Sequence, residues 1–244
     1  SSNMSSSTRS IEIRRAAERG KTEIGWLDSA HSFSFGQYYD PQRVAYRSLR
    51  VINDDRVAPG AGFGEHGHDN MEIISWVLSG SLRHGDSLEN SRLLTPGEVQ
   101  VMSAGSGIRH SEFNGSETDE AHFLQVWITP KTRDIAPRYD QRTIDTDARH
   151  NRFAPIASGF ADHLADGALP IEQDAAVLVA DVEAGASVSG RFTDGDAAYV
   201  HVATGTIELA GHTLQAGDAA VIESADQVTV AGVGPSQVIL FAFT

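Results

Sequence analysis

The sequence predicts an all-β protein built from two similar halves. Short apolar stretches recur along the 244 residues, and turns such as Pro59-Gly60 and Pro96-Gly97 separate them. The first 130 residues contain no apolar stripe with the spacing of a helix. Frequent short strands separated by such turns are typical of antiparallel sandwiches and barrels. With 40% hydrophobic residues, the chain can bury the core of one large domain or of two domains of about 100–120 residues each.

The predicted strands fall into two groups. Residues 11–18 indicate a strand or turn, and the alternation in HSFSF (31–35) predicts a strand with Phe33 and Phe35 on one face. Residues 131–152 are polar and charged and include Pro137, so we expect a linker there, followed by a loop-rich stretch over 153–170. The remaining predicted strands are 48–52, 72–78, 98–102 and 123–129 before the linker, and 176–181, 198–202, 206–209, 219–222, 228–230 and 238–243 after it.

The two halves repeat one pattern. VLSGSLRH (77–84) followed by LLTPGEVQVMSAG (93–105) matches VATGTIEL (202–209) followed by TLQAGDAAVIESA (213–225). Each copy predicts a strand, a Ser-Gly or Thr-Gly turn, a second strand, and a Pro-Gly or Ala-Gly turn before an apolar strand. Glycine suits these turns because the backbone there often needs a positive φ. The repetition predicts a duplicated barrel.

The charge distribution excludes one class of partner. The formal net charge is −14, and Arg191 is the only Lys or Arg after Arg152. Direct binding to a nucleic-acid backbone needs clustered positive charge. We therefore expect no direct nucleic-acid partner and interpret the acidic second half as a solvated surface.

Composition also limits the possible cellular compartment and the residue types that can bind a metal. No apolar run approaches the ~20 residues that span a bilayer, so no membrane association is expected. Residues 1–10 (SSNMSSSTRS) are polar and lack the apolar core of a secretion signal, so we expect a disordered tail and a cytoplasmic protein. Cysteine is absent. Any metal site must therefore use His, Asp or Glu.

Two pairs of alternating residues predict a metal site. His66 and His68 lie one residue apart, and His110 and Glu112 repeat that spacing. Side chains two residues apart on a strand lie on the same face, so two strands can each supply two ligands. Three imidazoles and one carboxylate suit Fe(II), Ni, Cu(II), Mn or Zn, and the pattern does not choose among them. Glu72 lies four residues beyond His68 and is a further candidate.

These residues lie in segments that resemble known motifs. GAGFGEHGHDNMEIISWVLSG (60–80) resembles the first cupin motif, and SAGSGIRHSEFN (103–114) resembles the second. Gly105 replaces the usual proline of the second motif, and Gly80 falls one residue late in the first. GWLDSAHSFSF, LRVINDD, HGHDNMEI and MSAGSGIRHSEF together resemble the pirin family of two-domain cupins across most of residues 11–140.

The resemblance implies a fold of two tandem cupin barrels, each a double-stranded β-helix or jelly roll. After the tail at 1–10, it implies an N-terminal metal-binding cupin domain over 11–135. A C-terminal cupin domain without a metal site follows over 136–244. In that half Arg191 and Thr193 stand where the motif histidines would be, and His201 and His212 are isolated.

The resemblance also implies the ligands of one divalent ion, which are His66, His68, His110 and Glu112. Fe(II) is the expected metal, with Ni, Cu, Mn, Co and Zn as alternatives. Pirins keep the first-motif glutamate off the metal, so Glu72 is expected to support the site from outside. Asn114 is expected to be structural for the same reason.

Two functions follow from the resemblance. Bacterial pirins are similar to quercetin 2,3-dioxygenases, which open the central ring of a flavonol with O₂ and release carbon monoxide. Glu112 is then the expected general base as well as a ligand. The alternative is a non-enzymatic, iron-dependent redox-sensing regulator that binds a protein partner. A metal that only stabilises the fold is a third interpretation. The family expectation for the oligomeric state is a monomer.

Overall fold

The computed structural model describes residues 11–191, 196–224 and 227–244, and nearly all of their regular secondary structure is β-strand. The predicted tail at 1–10 and Thr193 lie outside the described residues. Up to residue 143 the elements are β1 (Ile11–Arg14), a 3-10 helix (Ala16–Glu18), β2 (Gly20–Ile24), β3 (Leu27–His31), β4 (Leu49–Val57), β5 (Gly62–His68), β6 (Glu72–Ser79), β7 (Leu82–Asp86), β8 (Ser91–Leu94), β9 (Glu98–Ser103), β10 (Ile108–Asn114), β11 (Ala121–Ile128) and β12 (Arg138–Thr143).

The second half has the same character, and it adds two short helices. Its elements are α1 (Thr146–Arg149), β13 (Ala154–Ser158), α2 (Ala161–Ala165), β14 (Leu169–Pro170), β15 (Ala175–Val182), β16 (Ser187–Arg191), β17 (Ala197–Thr204), β18 (Thr206–Leu209), β19 (His212–Gln215), β20 (Ala219–Glu223), β21 (Gln227–Gly232) and β22 (Ser236–Phe243). The all-β prediction is confirmed. Within the described ranges, no helix has the length and apolar character needed to cross a bilayer.

The described residues separate into two compact units. The first unit contains Arg19–Thr143 together with Leu169–Gln173. The second unit contains residues 11–18, Ile144–Ala168 and the described part of Asp174–Thr244. These limits differ from the predicted domains of 11–135 and 136–244 at both edges.

At each edge, one strand pairs within a different unit from the one predicted, and this pairing moves the domain limit. β1 pairs antiparallel with β20 of the second unit, and Ile11 lies opposite Ile222. β12 pairs with β9 of the first unit, and Arg138 lies opposite Ser103. The stretch 131–152, predicted to be a linker, therefore includes a full strand and the helix α1.

The first unit consists of two antiparallel sheets. The larger sheet has the order β12-β9-β6-β11-β4-β3-β2, and the smaller has the order β5-β10-β7-β8. Apolar side chains from both sheets form one core, which includes Val57 and Phe123 from the larger sheet and Leu82 from the smaller. Two such sheets packed on a shared core make a jelly-roll barrel.

The second unit repeats this arrangement. Its larger sheet contains β1-β20-β17-β22-β15-β13 in that order, and its smaller sheet contains β16-β21-β18-β19. The turns predicted by the repeat match in conformation. Gly80 and Gly205 have φ values of 77° and 84°, and Gly97 and Gly217 have φ values of 85° and 88°. The sequence repeat therefore corresponds to a duplicated barrel.

The strand predicted across HSFSF (31–35) is wrong, because only its first residue, His31, lies in a strand. β3 ends at His31, and the chain then turns. The Ser34 hydroxyl donates a hydrogen bond to the Asp40 carbonyl at 2.9 Å, and the Ser34 N–H donates to the Arg43 carbonyl at 2.6 Å. Serine side chains can offer the backbone such local partners in place of a ladder. Phe33 is nevertheless buried.

Candidate metal centre

The pairing of β5 with β10 brings the predicted histidines together. His66 lies directly opposite His110, and Ile108 lies opposite His68. The centroids of the His66 and His110 rings are 4.4 Å apart, and the His68 ring is 4.9 Å from each of them. Within the described ranges, these three are the one group of three or more ligand-type side chains whose ligand atoms all lie close enough to share an ion, within 4.8 Å of one another.

Glu112 lies beside this cluster. Its Oε1 atom is 3.5 Å from His110 Nε2, and the side chain is 2% exposed. The register of β10 against β5 shifts between His110 and Glu112. Gln125 on β11 positions the carboxylate, because its Nε2 group donates to both carboxylate oxygens at 2.9 Å. The carboxylate is therefore fixed from the larger sheet while its strand belongs to the smaller one.

The imidazoles of His68 and His110 are neutral near pH 7. Burial, together with the positive charge that His66 can carry, lowers the pKa of His110 to about 3 and that of His68 to about 4. His66 Nδ1 lies 2.7 Å from the Gly64 carbonyl oxygen. A carbonyl only accepts, so Nδ1 holds the proton and Nε2 keeps its lone pair. Neutral imidazole is the form that binds metals.

The distances also fit a shared ion. His68 Nε2 and His110 Nε2 are 3.0 Å apart. Two ligands about 2.1 Å from one ion lie roughly 3.0 Å apart when the angle between them is near 90°. The fixed tautomer of His66 is the arrangement that metal-bound histidines need, with the second ring nitrogen donating to a carbonyl. The donor set and its geometry therefore fit a divalent ion.

Burial also affects the carboxyl group of Glu112. It raises the pKa of Glu112, while the hydrogen bonds from Gln125 oppose the shift, as do positive charges on His84 and His66. A carboxylate with a raised pKa is a stronger base than an exposed one. Glu112 thus combines the position of a ligand with the basicity of a proton acceptor.

Glu72 has other partners. Its Oε1 atom accepts hydrogen bonds from the Ser103 hydroxyl at 2.7 Å and from the Glu172 N–H at 2.8 Å. Ile73, the next residue, packs with the Ile108 cluster, so alternation turns Glu72 to the other face of β6. Burial raises the pKa of Glu72, and its two hydrogen-bond donors oppose this.

Asn114 joins loops at the end of β10. Its side-chain Nδ2 group donates to the carbonyls of Val57 and Asp119 at 3.1 and 2.8 Å. Its Oδ1 atom accepts from the Ser116 N–H at 2.8 Å. These are contacts to the backbone, and they fit a structural residue.

One buried histidine close to His110, His84, was not predicted to belong to the site. His84 on β7 is fully buried, lies opposite Glu112, and donates from Nε2 to Asp86 Oδ2 at 2.5 Å. Its ring stacks on Tyr139 with a centroid separation of 4.4 Å. Burial alone would raise the pKa of Asp86, but hydrogen bonds from His84 and Asn90 outweigh burial and lower that pKa. The alternation of His84 and Asp86 on a short strand is the sequence pattern that could have identified this pair.

Two other histidines have defined partners. His31 Nδ1 donates to Asn53 Oδ1 at 2.7 Å, and its Nε2 atom lies 2.8 Å from the Thr22 hydroxyl oxygen. His122 Nε2 lies 2.6 Å from Asp54 Oδ1. His31 lines the cavity beside the cluster, whereas His122 does not.

A cavity of about 280 Å³ opens onto the histidine cluster. Its volume is close to the lower limit of about 300 Å³ for small-molecule sites. Aromatic and polar side chains share the lining, which comprises Thr22, Leu27, Ser29, His31, Phe35, Asn53, Asp55, Phe63, His66, His68, Glu112, Gln125 and Trp127. Three of the four candidate ligands, His66, His68 and Glu112, therefore face a space suited to a small aromatic molecule.

Asp55 is the second carboxyl group of this cavity, and no sequence pattern singles it out. Its side chain is 4% exposed and accepts a short hydrogen bond from the Ser29 hydroxyl. Burial raises the pKa of Asp55 to about 7; the Ser29 hydrogen bond opposes the shift, and the charge of Glu112 adds to it. Such a carboxyl group in a cleft is a candidate functional residue.

The second unit contrasts with the first. His201 lies fully buried on β17, and His212 is exposed on β19, so the two histidines differ in environment. Arg191 ends β16, on the smaller sheet. No group of three ligand-type side chains that could share an ion occurs among the described residues of this unit.

Two jelly-roll units in one chain, with imidazoles converging inside the first, define a bicupin with a metal-type site. The Pirin family model matches residues 12–128, and the Quercetinase C-terminal cupin domain model matches residues 156–243. A quercetin 2,3-dioxygenase of Escherichia coli K12 is 37% identical over 236 residues, which cover 95% of this chain and 97% of that protein. The chain belongs to the pirin family.

Further relatives agree with this assignment. A pirin-like protein of Caulobacter vibrioides is 40% identical over 221 residues, which cover 91% of this chain and 94% of that protein. The crystal structure of the bacterial pirin YhhW from Escherichia coli in complex with nickel(II) superposes with a TM-score of 0.89 at 36% identity, and the match covers 96% of this chain and 98% of that one. The prediction of two tandem cupin barrels is confirmed.

Gly62 provides a test of how β5 supports the site. A Cβ atom at Gly62 would collide with the Glu112 carbonyl oxygen and lie 2.5 Å from the Phe113 Cα atom. We expect Gly62→Ala to force the two strands apart, to lower stability by about 1–3 kcal/mol, and to weaken Ni(II) binding.

Gly64→Ala is the matched control, because nothing lies within 4 Å of a Cβ atom at that position on the same strand. Thermal unfolding and Ni(II) titration of both variants measure the difference. Equal effects of the two substitutions would contradict the close approach of β5 to β10.

Proposed function

We propose that His66, His68, His110 and Glu112 bind one divalent metal ion in the first barrel. Three observations support this assignment: the converging Nε2 atoms of His68 and His110 3.0 Å apart, the tautomer of His66 fixed by Gly64, and the low pKa of the buried imidazoles. Fe(II) is the proposed ion, and the same donors suit Ni, Cu, Mn, Co and Zn. The related YhhW structure is in complex with nickel(II).

We further propose that the protein is a dioxygenase that cleaves a flavonol such as quercetin with O₂. The observation that supports it most is the placement of three of the proposed ligands, His66, His68 and Glu112, on the wall of a cavity that Phe35, Phe63 and Trp127 also line. The name of the Escherichia coli relative, quercetin 2,3-dioxygenase, points to the same reaction. In that reaction both atoms of O₂ enter the product as the central ring opens, and one ring carbon leaves as carbon monoxide.

Glu112 has the central chemical role in this proposal. A divalent ion held by these residues would act as a Lewis acid on the 3-hydroxyl oxygen of the flavonol and lower the pKa of that hydroxyl. Glu112, whose own pKa is raised by burial, accepts the proton. The two hydrogen bonds from Gln125 hold the carboxylate in position before and after the transfer.

The aromatic lining supports the same chemistry by limiting access of water. Phe35 packs edge-to-face on Trp127 with ring centroids 5.5 Å apart, and Trp127 packs edge-to-face on His68 at 5.1 Å. A flat aromatic substrate fits against such rings, and the electron-rich flavonolate is thereby kept from bulk water.

The direct test is turnover by purified protein loaded with Fe(II), Mn, Co, Ni or Cu and supplied with quercetin in air. We expect loss of the flavonol absorbance together with uptake of one O₂ and release of one carbon monoxide per flavonol. No turnover with any of these metals, in protein shown to contain the ion, would contradict the dioxygenase proposal.

The metal ligands are tested by a matched pair of conservative substitutions. Glu112→Gln removes a charged donor beside His110, so we expect metal affinity to fall at least ~10-fold. Glu72→Gln retains an oxygen that can accept from Ser103 and the Glu172 N–H, so metal content is expected to stay unchanged. Competition with a chelating dye and metal analysis measure both. The opposite ranking of the two variants would place Glu72 on the metal.

The redox-sensing regulator stays a prediction of the sequence. A pull-down of protein partners with the ferric and with the ferrous protein distinguishes the regulator from the dioxygenase. A partner that binds one oxidation state alone, in a protein without turnover, would favour the regulator.

A further inference from the structure

The cavity has a polar wall on the sheet that does not supply the histidines. Ser29 and His31 on β3 and Asn53 and Asp55 on β4 form this polar wall, and all four side chains are at most 4% exposed. They alternate along their strands, and the register pairs Ser29 with Asp55 and His31 with Asn53. All four line the cavity.

Each cross-strand pair is joined by a hydrogen bond. The Ser29 hydroxyl donates to Asp55 Oδ1, and His31 Nδ1 donates to Asn53 Oδ1. Burial lowers the pKa of His31, so its ring is neutral, although the hydrogen bond to Asn53 opposes that shift. The polar wall is therefore held in place before any ligand arrives.

Asp55 is the member of the wall with acceptor capacity to spare. A carboxylate offers about four lone-pair positions, and the hydrogen bond from Ser29 uses one of them. Burying a carboxyl group is costly unless it is paired, and an apolar residue at this place on β4 would remove the cost. With a pKa of about 7, Asp55 can accept from a phenol hydroxyl when ionised and donate to a phenol oxygen when protonated.

We propose that Asp55 binds a phenolic hydroxyl group of the substrate and so makes the site selective for flavonols with hydroxyl groups away from the metal-binding oxygen. The inference rests on the proposed flavonol substrate. The histidines and Glu112 belong to the smaller sheet and Asp55 to the larger, so one aromatic molecule between the sheets can meet both. Asp55 acts here as a specificity residue, and Glu112 remains the proton acceptor.

The experiment compares two ligands that differ at the proposed contact. Quercetin has hydroxyl groups on its outer rings, whereas 3-hydroxyflavone keeps only the 3-hydroxyl and the carbonyl. Their dissociation constants are measured by calorimetry without O₂ on Ni(II)-loaded protein, so binding is read without turnover. We expect quercetin to bind on the order of 10-fold tighter or more, the effect of one hydrogen bond to a charged group.

Asp55→Leu should abolish this preference, because it should weaken the binding of quercetin and leave the binding of 3-hydroxyflavone unchanged. Asp55→Asn keeps an acceptor of similar shape and should reduce the preference in part, which covers the case that the leucine variant does not fold. Asp54→Asn is the matched control, because Asp54 is the neighbouring carboxylate, binds His122 and Arg19, and does not line the cavity. It should keep the full preference.

Three results would overturn the inference. The parent protein could bind both ligands equally well, the Asp55 variants could lose equal affinity for both ligands, or Asp54→Asn could lose the preference for quercetin. Failure of the dioxygenase proposal gives a different result. In that case the parent protein and its variants show the expected binding preferences, but the loaded protein does not consume quercetin in air.

Discussion

The pairing of β5 with β10 is the constraint on which the site depends. It sets His66 opposite His110 and leaves His68 on the same face, so three imidazoles meet at one side of the barrel. A shift of this register by one residue would turn each pair to the other face. Gly62 allows the two backbones to approach at the level of Glu112. The strand pairing therefore determines the chemistry that the barrel can perform.

The interior of the first barrel is not entirely apolar, although protein cores usually are. Its end near His66 holds buried polar side chains from both sheets, including Glu112 and Asp55, whereas the core around Phe123 is apolar. Buried polar groups reduce stability unless each finds a partner. Gln125, which fixes Glu112, and Ser29, which binds Asp55, supply such partners. In the second unit, a large cluster of buried apolar residues includes side chains from both sheets.

Much of this arrangement was predictable from local sequence. Alternation on a strand places His66 with His68, and the motif resemblance joins them to His110 on the neighbouring strand. The second carboxyl group was not predictable, because Asp55 is paired with Ser29, 26 residues away, through strand register alone. The same limit explains the domain edges, because the distant pairing partners of β1 and β12 assign these strands to a unit. Local patterns indicate which face a side chain takes, and non-local pairing decides what it meets.

The central claim is that one ion is bound by residues of β5 and β10. The most direct measurement is metal analysis of the purified protein combined with an anomalous scattering map of its crystals. The account predicts one ion per chain, with density between the side chains of His66, His68, His110 and Glu112. An ion bound by Glu72, an ion in the second unit, or metal-replete protein without density at the histidine cluster would contradict it.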